Sequence, residues 1–91
     1  MSDLHFENLW ESAEDLSQKL SSNDSETIIN EITLLLTEFT KINNISNADA
    51  RKFLKIKKVG EVLFKLSDLS RLESINTFEA LLMEINFQSK S

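Results

Sequence analysis

Apolar residues recur three or four positions apart along almost the whole 91-residue chain, and no proline and a single glycine interrupt them. That spacing stacks side chains on one face of an α-helix. Phe6, Leu9, Trp10, Ala13, Leu16 and Leu20 make a first stripe. Ile28, Ile29, Ile32, Leu35, Leu36 and Phe39 make a second and cleaner one, with Asn30, Glu31, Thr33 and Glu38 outside it. A short third helix is expected to bury Phe53, with Leu54 beside it. Val59, Val62, Leu63, Leu66 and Leu69 give a fourth stripe, and Ile75, Phe78, Leu81, Leu82 and Ile85 a fifth. No segment alternates with the period of a strand, and there is no Asn-Gly or Asp-Gly hairpin turn. The expected fold is all-α, a compact bundle of four to five short helices in a single domain over 1–91. Its core runs over about 4–87, and the tail 88–91, with nothing apolar to bury, is expected to fray.

Short polar residues punctuate the stripes. Ser21-Ser22-Asn23-Asp24-Ser25 separates the first two, and Asn23 with Glu26 three residues on has the spacing of a capping pair. Asn43-Asn44 marks the next break, and Ser46-Asn47-Ala48-Asp49 reads as an N-cap with an acid in the first turn. Ser70-Arg71-Leu72-Glu73 has the capping-box pattern, with Ser74 as the rival cap. Breaks this frequent argue against one long coiled coil.

Composition excludes several classes. With no cysteine there is no disulfide scaffold, thiolate metal site or cysteine nucleophile. No apolar run approaches the ~18 residues of a membrane span, and the acidic start is wrong for a signal peptide. The composition fits a soluble, intracellular chain. His5 is the one imidazole and is expected as a surface side chain on a first turn. Glu11 with Glu14 or Asp15 is a helix-spaced carboxylate group, but no second inward-facing set accompanies it, as bundle metal sites require. The serines lack a base and orienting acid at a recognisable spacing, and one glycine cannot build a phosphate loop. No catalytic residue, metal ligand or cofactor is assigned, and the chain is read as non-enzymatic. Trp10 suits either the core or a binding hot spot; its place within the first stripe favours the core.

Charge is unevenly spread. Residues 1–50 hold ten acidic and two basic side chains, a net of −8, and residues 51–91 hold five acidic and eight basic, a net of +3. Arg51, Lys52, Lys55, Lys57 and Lys58 lie within one short stretch. Such a run is either a solvated helix face or a contact surface for an acidic partner. The overall charge of −5 argues against duplex DNA as the main ligand, and the run lacks interleaved aromatics beyond Phe53.

The segment Lys57-Lys58-Val59-Gly60-Glu61-Val62-Leu63-Phe64-Lys65-Leu66 is followed by Ala80, Met83 and Phe87. This pattern resembles the TFIIS amino-terminal domain family, which includes elongin A and the integrase-binding domain of lens-epithelium-derived growth factor. The likeness runs from Ile28 to Phe87, about two-thirds of the chain, and takes in nearly all of it if Phe6–Leu20 is the first helix of an integrase-binding-type bundle. Phe87 stands where such domains often have Trp, Gln88 where they carry a basic residue, and Lys57 where the growth-factor domain has an aromatic.

The resemblance implies a monomeric, nuclear interaction module of transcription elongation and chromatin, sometimes beside a PWWP domain and excised from a longer protein. Its partners would be short, disordered, acidic Phe-containing motifs. Their pocket would form between two interhelical loops, here Leu20–Asp24 and Lys55–Gly60. Lys55, Lys57, Lys58, Val59 and Gly60 would then bind the partner, with Leu20, Asp24, Arg51 and Lys52 in support. An acid beside lysines and a ring in an apolar notch are the physics such a site needs. The alternative is a helical oligomerisation or scaffold subunit of a larger complex.

Overall fold

The computed structural model describes residues 2–20 and 24–90, with side chains from Phe6 onward in the first helix. Four helices follow in order: α1 (Ser2–Leu20), α2 (Ser25–Ile42), α3 (Ala48–Leu72) and α4 (Thr77–Ser89). No strand occurs among the described residues. The expected all-α bundle is what the chain forms.

Side-chain caps start three of these helices. Asp24, Asn47 and Asn76 each accept a hydrogen bond from the backbone amide three residues on, at Thr27, Ala50 and Glu79. Those amides have no partner inside the helix, so the caps set the register of each start. The expected pairing of Asn23 with Glu26 falls partly outside the described residues; Asp24 does the capping. Ser70-Arg71-Leu72-Glu73 is not a helix start. Ser70–Leu72 are the last turn of α3, and α4 begins at Thr77 behind its cap Asn76. The α3 end is a Schellman turn: the Ile75 amide reaches the Ser70 carbonyl at 2.9 Å and the Ser74 amide that of Arg71 at 3.3 Å. Ser74 takes the left-handed conformation at φ 56°, where glycine is the usual occupant.

The expected third and fourth helices are one. α3 runs 25 residues straight through Val59 and Gly60. A single glycine costs a helix only about 1 kcal/mol, and the ion pairs of Lys57 and Lys58 with Glu61 span it. At the other end of the chain, Gln88 and Ser89 stay helical, where fraying was expected; their side chains bond back to Glu84 and the Ile85 carbonyl.

α3 is the spine. α2 packs antiparallel to it, as the pairs Glu38–Lys58, Glu31–Lys65 and Ser25–Glu73 show in sequence. α1 packs parallel to α3, with Ser17 beside Arg71 at one end and Trp10 beside Phe64 at the other. No other pair of helices packs along its length. The three helices meet at Ser17, Ile28, Ser67 and Asp68, all almost fully buried. Only Trp10, Ile28 and Ile42 are buried among the large apolar side chains described. Phe53, expected inside, is 66% exposed, and from Glu79 onward every described residue of α4 is exposed. The radius of gyration is 15.0 Å, against about 12 Å for a fully packed domain of this length: α3 alone is about 37 Å long, and α4 packs along none of the other helices.

Candidate protein-interaction site

The basic stretch lies on the first half of α3, and much of its charge is already matched. The Lys58 ammonium sits 3.0 Å from the Glu38 carboxylate and 3.4 Å from that of Glu61. The Glu38 hydrogen bond is the main cause that raises the Lys58 pKa above its ordinary value, with burial opposing it. Lys57 pairs with Glu61 at 3.7 Å. The Lys55 ammonium lies over the Phe39 ring at 5.7 Å from its centroid, a cation–π contact. Arg51 donates to the Ile45 carbonyl at 2.7 Å and so closes the α2–α3 connection. Lys52 is exposed and carries no ion pair among the described residues.

The two halves of the expected pocket are not brought together. Lys55–Gly60 is helical and faces the C-terminal half of α2. Leu20 ends α1 and Asp24 caps α2 at the opposite end of the spine, where Ser17 meets Arg71 and Ser25 meets Glu73. Gly60 and Arg71 are eleven residues apart on α3, about 16 Å along its axis. Asp24 is occupied at that end: the Thr27 amide, followed by the Thr27 hydroxyl, holds its carboxyl below the ordinary value of 3.8.

Gly60 marks a different site. α1 and α2 flank α3 without packing on each other, which leaves a cleft with Gly60 and Phe64 on its floor. On the α2 side the cleft is a groove of about 460 Å³ walled by Leu34, Leu35, Glu61 and the Glu31–Lys65 pair. On the α1 side it continues as about 210 Å³ walled by Phe6, Leu9, Trp10, Ala13 and Leu63. A Cβ built on Gly60 meets nothing within 4 Å. Leu9 is 69% and Leu34 58% exposed at its rims. The Trp10 indole N–H is buried in the α1 wall with no acceptor among the described residues.

No family model, curated protein or solved structure matches the chain. The cleft thus stands on its own geometry. Among the described residues no cluster of His, Asp or Glu is arranged to hold a metal, and no helix is long and apolar enough to cross a membrane. The sequence pointed to Val59 and Gly60 through their place in a motif. It did not point to Leu9 and Leu63, whose helical spacing marks them as core, nor to Leu34, which lies outside the second stripe.

Proposed function

We propose that this chain is a non-enzymatic helical assembly module, a subunit that completes its apolar core against another protein chain. One observation carries this: nineteen large apolar side chains among the described residues are more than a third exposed. They are spread over all four helices; those along the cleft and on α4 alone, at roughly 100 Å² apiece, expose several hundred Å², the scale at which an apolar surface marks an interaction site. A groove beside an exposed apolar helix is the geometry of helix-in-groove recognition. The docking of acidic, Phe-containing motifs in transcription or chromatin rests on the family resemblance. The ion pairs of Lys57 and Lys58 within the chain weigh against it as the main activity.

The test is amide exchange and apolar-dye binding on the full chain diluted well below micromolar. Strong dye binding and fast exchange in α4, both suppressed once the chain assembles, are expected. A monomer that binds no dye and protects α4 as fully as α3 would overturn the proposal.

A further inference from the structure

We propose that the cleft over Gly60 receives α4 of a second copy of this chain, and that the exchange is reciprocal. The inference rests on the assembly proposal and names its partner. Three observations carry it.

The first is the glycine. Gly60 lies mid-helix in α3, where it costs about 1 kcal/mol against alanine. Nothing within the chain requires it, since an added Cβ would meet nothing within 4 Å. A side chain is missing where the cleft is open, which is what a closely approaching second backbone needs.

The second is α4. Phe78, Leu81, Leu82 and Ile85 follow the i, i+3, i+4, i+7 spacing of a groove-binding helix, and Glu79 and Glu84 fall outside that stripe. The stripe spans about 11 Å, enough to cover the about 6 Å between Gly60 and Phe64 on the cleft floor. α4 packs along no helix of its own chain. Its start is held by the Schellman turn at Ser74, by the Thr77–Ser70 hydroxyl bond at 3.0 Å and by the edge contact of Phe78 with Phe6. Left-handed Ser74 makes the connection a strained short hinge, the kind that favours exchange of an element between copies.

The third is area. Each copy offers Leu81, Leu82 and Ile85 of the stripe and about five cleft residues, among them Leu9, Leu34 and Leu63. At roughly 80 Å² apiece this buries on the order of 600 Å² per copy, the lower end of the about 600–1,000 Å² per partner of a specific interface. A two-fold axis uses both surfaces at once and closes the assembly at two.

The chain has no cysteine, so engineered ones report single positions. The Leu34→Cys and Leu82→Cys chains are mixed under mild oxidation, with Asp49→Cys replacing Leu34→Cys as control, and the unmodified chain is run by sedimentation equilibrium; Leu34 lines the cleft wall, so Gly60 stays unsubstituted. A dimer with a 34–82 disulfide between copies, roughly tenfold over the control because docking raises the local concentration, is the expected result. A dimer without that bond overturns the inference and leaves the assembly proposal standing on another surface. A dye-binding monomer with no bond overturns it in favour of a different protein partner. In the doubly substituted chain, a 34–82 bond within a dye-silent monomer overturns both, because α4 then closes its own cleft.

Discussion

Asp68 has almost no exposed surface, yet it carries a carboxylate. Arg71 one turn on holds it, and the same guanidinium reaches Ser17 on α1 at 3.4 Å. Removing one member of a buried pair strands the other. Asp68→Ala is therefore expected to cost about 3 kcal/mol in urea unfolding. A loss near zero would show that Arg71 turns to solvent. Asp24 acts at the surface. Its pKa is lowered by the Thr27 amide, so its contribution is complete above pH 3.8 and is lost as pH falls through the lowered value. The Thr27 amide resonance should titrate with a midpoint below 3.8, and a midpoint above it would contradict the cap. Ser74 is the third residue of note. An L-residue in the left-handed region costs roughly 1–2 kcal/mol, part of which glycine's extra chain entropy offsets. Ser74→Gly should stabilise the chain by about 1 kcal/mol, read from its urea midpoint. None of these three roles lay in the periodicity: Asp68 and Arg71 fall between apolar stripe positions, and Asp68 is buried only once the helices pack.

The helices themselves were largely legible. Asn47 with Asp49, and the break at Asn43-Asn44, lie where α3 starts and α2 ends. The sequence misled at two places, both because a local signal was stronger on paper than in energy. The resemblance put an interhelical loop at Lys55–Gly60, but the backbone there is helical, and the about 1 kcal/mol that Gly60 costs is too little to end a helix with two Lys–Glu61 pairs across it. Ser70 to Glu73 looked like a start, but their backbone was already committed to the end of α3. This element yields a split prediction. Gly60→Ala should raise the stability of the separated chain by 0.5–1 kcal/mol, since its methyl meets nothing. The same methyl lies on the cleft floor and should weaken assembly several-fold. Thermal unfolding in dilute solution reads the first effect and sedimentation the second; a change of both in the same direction would place Gly60 outside the interface.

The whole molecule shows why apolar spacing alone could not locate the site. Phe53, Leu63, Leu81 and Leu82 have the spacing of core residues, and the chain exposes all four. Periodicity identifies a side that must be covered and not what covers it. Three helices pack around Ile28, Ser67 and Asp68, then leave a cleft, and the fourth touches them through Phe78 and Thr77 near its start without packing along any of them. A chain this small buries only about 60–65% of its unfolded surface even when fully packed, so an apolar face left open is a large share of its stability. The measurement that bears most directly on the account is amide exchange of α4 against α3 in the dilute full chain. Lower protection in α4, rising as the chain assembles, is the predicted result. A monomer in which α4 is as protected as α3 would contradict it.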